Sequence, residues 1–224
     1  MTKLHFYRGV CLTNLHVGAN DSSYGVIDNT VSRDIVLGVP NIPGSGVKGA
    51  IREYFEYGKG KDTSILADDR FEKIFGSKRN KDTGNNNTQG AYKFFDAICT
   101  RFPQFDVDAK SGIVKITQQS VETYLNNLKK ALGNEADNLD LSKLLKGKKI
   151  EEFPDMPVVA RNILDENGQS QNLWYEEYVP HTSEFLFIVE SDEESDELGL
   201  SGKVIQFGAN ASVGMGQIKL EVIS

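Results

Sequence analysis

Apolar and polar residues alternate over positions 4–17, and this spacing predicts an opening β-strand because successive strand side chains point to opposite faces. Further along, apolar residues recur at helical spacing from Val47 to Phe55. Ser45 stands just before them, at a position where a side-chain oxygen commonly caps a helix. We therefore expect the first helix to begin at Ser45.

The clearest helical pattern covers Ser120–Leu132, where apolar residues share one face and Gly133 follows as a stop signal. Two later arms, Val158–Asp165 and Asn172–Tyr178, flank Glu166-Asn167-Gly168, which is a typical hairpin turn. The predicted order is strand, helix, strands, helix, strands. It indicates one α+β domain over residues 1–224, since no linker or internal repeat divides the chain.

The net charge of the 224 residues is −7, a sign that opposes binding to nucleic acid. Six acidic residues lie within Glu190–Glu197, and the rest of the chain carries only −1. We interpret this run as a solvated loop tip. It is compatible with a basic groove elsewhere, because salt screens exposed charges beyond about 10 Å.

No apolar run reaches the roughly 18 residues that indicate a membrane span. The N-terminus lacks the long apolar stretch of a signal peptide, so we expect a cytoplasmic protein. Cys11 and Cys99 lie in strand-like segments and are expected to be small buried hydrophobic residues in a reducing compartment. The Cys and His residues show no clustered spacing, which argues against a structural zinc site.

Residues Gly44–Gly49 match the spacing G-x-G-x-x-G, so one hypothesis is a small nucleotide-dependent enzyme. Such a site needs a strand that runs directly into the glycines, and Pro40 and Pro43 interrupt it here. The second hypothesis is an anion site at a helix N-terminus, with Lys48 and Arg52 one turn apart on successive phosphates. A solvated helix face explains the same residues.

Asp28 lies alone in a polar loop, and His16 lies where the first predicted strand meets that loop. Either side chain is able to contact a ribose 2′-hydroxyl or to hold a metal-bound water. The alternatives are a turn residue for Asp28 and a polar strand end for His16.

Two further segments are candidates for contact with RNA. Aromatic and acidic residues mix in Leu173–Tyr178, which predicts either a core strand or a hairpin arm that wedges between bases. Glycine and small residues dominate Phe207–Gln217. A turn between strands explains this composition, and so does close approach of an RNA backbone.

Several segments, in this order, resemble the RAMP superfamily of CRISPR-associated proteins. The similarity is to the repeated backbone subunit of type III effector complexes, with the Cmr type favoured and the Csm type open. The segments are Thr13–Gly18, Gly25–Asp34, Gly38–Arg52, Phe75-Gly76, Gly90–Ala97, Leu173–Pro180 and Phe207–Gln217.

The resemblance implies a ferredoxin-like (RRM-like) core with insertions near residues 58–90 and 104–155 and a thumb-like β-hairpin near residues 158–178. It implies a subunit that binds guide RNA, assembles with copies of itself and with other type III subunits, and cleaves complementary target RNA at regular intervals. A scaffold that binds guide RNA without cleaving target is the alternative.

By motif position, the implied catalytic residue is Asp28, which would also hold a divalent metal ion, Mg²⁺ or Mn²⁺. Glu176 and Glu177 are implied supporting residues. The sequence departs from the family pattern at Gly46, where a second Ser is usual, and at Thr30, where Pro is common. The implied RNA contacts are His16, Ser45, Lys48, Arg52, Gly208, Asn210, Gly214 and Gly216.

Overall fold

The structure is a computed structural model that describes residues 3–19, 26–57, 68–77, 88–137, 139–191 and 198–223. Its helices are α1 (Gly44–Tyr57), α2 (Asp68–Phe75), α3 (Gln119–Leu132) and α4 (Leu141–Leu144), with 3₁₀ turns at Gly133–Ala136 and Ala211–Val213. Its strands are β1 (Lys3–Cys11), β2 (Asn41–Ile42), β3 (Lys93–Phe94), β4 (Ala97–Phe105), β5 (Ile113–Gln118), β6 (Lys148–Ile150), β7 (Val158–Leu164), β8 (Ser170–Glu177), β9 (Glu184–Ser191), β10 (Val204–Gln206) and β11 (Gln217–Val222).

The main sheet is built around β1, in the order β10-β11-β1-β9-β4-β5-β6. β1 pairs antiparallel with both β11 and β9, and β4 pairs antiparallel with β9. Only β5 and β6 pair in parallel within this path. β7 and β8 form a second, two-stranded sheet. This mixture of helices and a largely antiparallel sheet confirms the α+β prediction.

The ferredoxin-like part of that prediction stays a prediction. The strands β11-β1-β9-β4 are paired antiparallel throughout, as such a core requires. It also requires a helix between its last two strands. The described residues between β9 and β11 contain β10 and a three-residue 3₁₀ turn but no α-helix.

The core is aromatic where Phe207–Gln217, called the glycine-rich segment below, begins. Phe185 and Phe187 of β9 are buried, and the ring of Phe187 lies 5.2 Å from that of Phe207. Burial of one Phe side chain stabilises a fold by about 1.5–3 kcal/mol. Phe207 therefore anchors the start of the glycine-rich segment to the sheet.

Two boundaries differ from the sequence prediction. β1 ends at Cys11 instead of continuing to position 17, because side chains of the next residues bind other backbone segments: Thr13 Oγ1 accepts from the Gln217 amide at the start of β11, and Asn14 Oδ1 accepts from the His181 amide. α1 begins at Gly44, one residue before Ser45. The Gly44 amide donates to Asp96 Oδ1 (2.7 Å), so Ser45 is an exposed residue of the first turn and not the N-cap.

The predictions for α3 and for the hairpin are confirmed. α3 ends at Leu132 with Gly133 at φ +54°, as its stop signal indicated. β7 and β8 pair antiparallel around the predicted turn. Cys11 and Cys99 are buried free thiols. Residues 192–197 of the acidic run lie outside the described residues. No helix in the described part of the chain is long and apolar enough to cross a membrane.

Candidate functional site

The segment that follows β1 lies against the glycine-rich segment. The backbone amide of Ala209 donates to His16 O (2.8 Å), and that of Gly216 donates to Asn14 O (2.7 Å). Gly208 and Gly216 have φ values of +70° and +87°, in the left-handed region that favours glycine. A Cβ at Gly208 would overlap His16 O, and a Cβ at Gly216 would overlap Phe207 O. Glycine is therefore required here for contact between two protein backbones.

The loop that carries Asp28 lies along the base of the hairpin. The amides of Asp28 and Asn29 both donate to Tyr175 O (3.1 Å each), and the Glu177 amide donates to Asn29 O (2.9 Å). Asp28 Oδ2 accepts from the Tyr175 amide (2.8 Å). Asp28 is exposed, and its carboxylate accepts no second hydrogen bond from the described residues. One carboxylate oxygen is thus fixed and the other is available to a ligand.

Glu177, at the end of β8, holds the far side of the same loop. Its Oε2 accepts from the Val31 amide (2.9 Å). Arg33 binds both carboxylate oxygens, with Nη2 3.1 Å from Oε1 and Nη1 3.0 Å from Oε2. Arg33 Nη1 also donates to Val31 O (3.0 Å). Charge-assisted bonds of this kind are roughly twice as strong as neutral ones.

Glu176 faces the opposite side and binds the hairpin to the glycine-rich segment. Asn210 Nδ2 donates to Glu176 Oε1 (2.5 Å), and Arg161 Nε lies 3.4 Å from Oε2. Asn210 has φ +63°, a conformation that Asn tolerates better than most residues. Arg161 also contacts Met215 Sδ (3.0 Å). Glu176 is 4% exposed, so its negative charge is compensated within the protein.

His16 is buried between the Glu177 backbone and the Glu176 carboxylate. Its Nδ1 lies 2.7 Å from Glu177 O and 3.9 Å from Glu176 Oε1. The residue is 6% exposed, so protein atoms cover most of its surface. His16 therefore holds the segment after β1 against the hairpin base, and its contact with RNA stays a prediction.

α1 contributes a separate part of the predicted site. No hydrogen bond or ion pair among the described residues joins it to the Glu176–Glu177 cluster. Lys48 has no hydrogen bond or ion pair with any described residue. Arg52 lies 3.6 Å from Glu56, and its guanidinium sits 5.3 Å from the Phe71 ring centroid. Lys48 is thus available for a phosphate, whereas Arg52 packs against α2.

The same geometry disfavours the nucleotide-dependent enzyme. The three glycines of Gly44–Gly49 lie within α1 and not in a loop that precedes it. Asp96 already accepts from the first of their amides, and the preceding strand has two residues. A dinucleotide site needs a parallel strand, a glycine loop and free amides at the helix start.

The structure brings together Asp28, His16, Asn210 and the two glutamates, although they are far apart in sequence. Arg33 and Arg161 complete the cluster and were not predicted as site residues. The predicted hairpin does contain a signal that would have identified Arg161 as a partner of Glu176. In the register of β7 and β8, Arg161 is the diagonal cross-strand neighbour of Glu176, and such pairs interact. Arg33 has no comparable signal.

The carboxylates of the site offer little to a metal ion. Within the described ranges, no group of three or more His, Cys, Asp or Glu side chains is arranged to hold one. Arg33 and the Val31 amide occupy Glu177, while Asn210 and Arg161 occupy Glu176. Among the described carboxylates of the site, Asp28 alone has an available oxygen. This fits Mg²⁺, which commonly binds through one or two carboxylates together with phosphates and water.

Fold and site together define a class: α+β proteins in which a separate β-hairpin and a glycine-rich segment meet beside one available carboxylate. The family model of the RAMP superfamily matches residues 10–219, and the chain belongs to this superfamily. No curated protein matches the sequence.

Solved structures with the same fold include a chain of the type III-B Cmr-beta complex in its apo state. That chain is 19% identical, with a TM-score of 0.71, over 99% of this chain and 98% of its own length. A chain of the Cmr-beta complex bound to cognate target RNA is 20% identical, with a TM-score of 0.70, over 98% and 97%. Oligomeric Cmr4 from Pyrococcus furiosus is 18% identical, with a TM-score of 0.60, over 98% of both chains.

Proposed function

We propose that this protein is a guide-RNA-binding backbone subunit of a type III CRISPR ribonucleoprotein and that it cleaves complementary target RNA beside its hairpin. The observation that carries the proposal is the junction of three elements at Glu176 and Glu177: the Asp28 loop, the hairpin and the glycine-rich segment. Similar chains occur in a complex bound to target RNA and in an oligomeric crystal structure, which supports RNA binding and self-association.

The hairpin provides the surface on which a target strand would be positioned. Its two strands form their own sheet, and Ile163, Leu164, Leu173 and Tyr175 are exposed on it. Exposed apolar side chains of this kind are able to stack on or insert between bases. Asp28 is bonded to Tyr175 at the base of this hairpin, so a nucleotide displaced there would lie beside the Asp28 carboxylate.

Asp28 supplies the chemistry of the proposed cleavage. Its available oxygen accepts the proton of a target 2′-hydroxyl, the 2′-oxygen attacks the adjacent phosphorus, and the bond from phosphorus to the 5′-oxygen breaks. The leaving oxygen takes a proton from water, which gives a 2′,3′-cyclic phosphate and a 5′-hydroxyl. A bound Mg²⁺ or Mn²⁺ would stabilise charge at the phosphate. The Tyr175 amide orients the carboxylate.

A scaffold that binds guide RNA without cleaving target is the second candidate. It is favoured by the engagement of Glu176 and Glu177, which leaves one available carboxylate among the described residues of the site. Both candidates share the guide-binding surface and differ only in the role of Asp28.

The test is a cleavage assay on the complex assembled with guide RNA and a labelled matching target. We expect Asp28→Asn to reduce cleavage about a hundredfold or more while guide and target binding persist, because the amide cannot accept the proton. Asp108→Asn, at an exposed position in the β4–β5 turn, is the matched control and should cleave normally. Loss of cleavage on addition of a chelator, and its recovery on addition of Mg²⁺, would support a role for a divalent metal ion in the reaction.

Full cleavage by the Asp28→Asn complex would contradict the assignment of Asp28. Cleavage of matching single-stranded DNA at the same positions would contradict the mechanism, because DNA has no 2′-hydroxyl. Absence of cleavage by the native complex, with guide and target bound, would select the scaffold.

A further inference from the structure

We infer that Arg33 is a positioning residue for target cleavage, which holds the Asp28 loop in place through the Glu177 carboxylate. The inference rests on the proposed function, since it assigns a role within that cleavage. Arg33 makes no hydrogen bond to Asp28 itself and acts only through the residues between them.

Arg33, Glu177 and Val31 form a closed ring of hydrogen bonds. The Val31 amide and the guanidinium both donate to the carboxylate, and the guanidinium also donates to Val31 O. The backbone of Val31 is therefore bonded at its amide and at its carbonyl. A planar guanidinium supplies these two directions together, whereas the single ammonium of lysine does not.

Burial makes this ring dependent on Arg33. The Glu177 side chain is 8% exposed, and its donors among the described residues are the Val31 amide and Arg33 alone. Without the guanidinium, a buried carboxylate would keep one neutral donor, and such a charge is strongly unfavourable. We expect the loop to move so that water reaches Glu177.

The movement would be transmitted to Asp28, which lies three residues before Val31. On its other side Asp28 is bonded to Tyr175, so the loop from Asp28 to Val31 is held at both ends. When Val31 loses its bonds to Glu177 and Arg33, the carboxylate is positioned by the hairpin bonds and, less directly, by the Ala19 amide, which donates to Thr30 O (2.9 Å). A displacement of about 1 Å at a reacting group commonly reduces the rate by large factors.

A direct contact with RNA is the competing explanation, because the Arg33 side chain is 33% exposed. If Arg33 contacts a phosphate, its replacement would lower the affinity for RNA and reduce the salt dependence of binding. If Arg33 is a positioning residue, its replacement would instead lower kcat and leave KM, affinity and salt dependence unchanged. The two explanations therefore predict opposite results from the same variant.

The test uses the complex assembled on guide RNA, with Arg33→Gln, Arg33→Lys, Glu177→Gln and the Arg33→Gln/Glu177→Gln double variant. For Arg33→Gln we expect kcat to fall about tenfold, the effect of losing one charge-assisted bond, with KM unchanged. Arg33→Lys should recover part of that loss. The double variant should be no slower than Glu177→Gln alone, because both changes break one ring. Arg8→Gln, at a similarly exposed arginine that pairs with Glu221 outside the site, should cleave normally.

The inference would be overturned if the kcat losses of Arg33→Gln and Glu177→Gln multiply in the double variant. It would also be overturned if Arg33→Gln or Arg33→Lys lowers RNA affinity while kcat stays normal. Native kcat in Arg33→Gln together with inactive Asp28→Asn would refute the role of Arg33 and leave the proposed function standing. Full activity of Asp28→Asn would instead refute the proposed function. If Arg33→Gln does not fold, Arg33→Lys carries the same comparison of kcat with affinity.

Discussion

At the scale of single residues, two adjacent glutamates organise the site. Successive residues of a strand point to opposite faces, so Glu176 and Glu177 bind different loops from one point in the chain. Each carboxylate is buried and each is paired with an arginine. Removal of either partner would leave an uncompensated buried charge, which is strongly destabilising.

Within the glycine-rich segment, glycine is required at Gly216 and is only favoured at Gly214. At Gly216, with φ +87°, alanine would be strained and would overlap Phe207 O; at Gly214, with φ +79°, the added Cβ would meet nothing within 4 Å. We expect Gly214→Ala to lower the free energy of unfolding by about 1 kcal/mol and Gly216→Ala by roughly 3 kcal/mol. Urea unfolding measures both, and equal losses would contradict the overlap.

The buried thiols give a pH-dependent prediction. Burial raises the pKa of Cys11 to about 12 and that of Cys99 well above its ordinary value of 9.0. The folded protein thus binds these protons more tightly than the unfolded chain. Their contribution to stability is complete below pH 9 and is lost as the pH rises towards 12.

We therefore expect both cysteines to resist iodoacetamide at pH 8 in the folded protein and to react rapidly in urea. Mass spectrometry of the labelled protein measures this. Rapid labelling of the folded protein would contradict the burial of the thiols.

At the scale of elements, the sequence patterns correctly predicted those helices and turns whose formation depends on residues nearby in the chain. The face of α3 and its glycine stop, and the hairpin around Glu166-Asn167-Gly168, follow from local spacing and turn chemistry. The prediction that Ser45 is the N-cap of α1 was wrong because the Asp96 carboxylate, from far along the chain, accepts from the first amide of the helix, that of Gly44. The same applies to Arg33 and Glu177, 144 positions apart, whose contact depends on tertiary structure.

α1 offers a comparison between two basic residues one turn apart. Lys48→Ala should reduce the slope of log affinity against log salt by about one, because one phosphate contact is lost. Arg52→Ala should lower the free energy of unfolding by about 1 kcal/mol, since it removes the contacts with Phe71 and Glu56. RNA binding at several salt concentrations and thermal unfolding separate the two. Unchanged affinity and salt slope in Lys48→Ala would exclude α1 from the RNA surface.

At the scale of the whole molecule, the charge is unevenly placed. A groove of 460 Å³ between α3 and the sheet is lined by apolar residues and by four acids, and none of its described lining residues is Lys or Arg. The acids are Asp34, Asp96, Glu135 and Glu190. Such a surface repels phosphate. The net charge of −7 is therefore compatible with RNA binding at the hairpin and the glycine-rich segment, which do not line this groove.

A backbone subunit has one further requirement, which is repeated assembly along the RNA. Head-to-tail contacts that do not close on themselves produce filaments, and the RNA would set their length. The most direct measurement is the mass of the protein by light scattering with guide-like RNAs of increasing length. We predict that the number of protein copies rises in proportion to RNA length. One copy per RNA at every length, or a strict monomer with and without RNA, would contradict the proposed role.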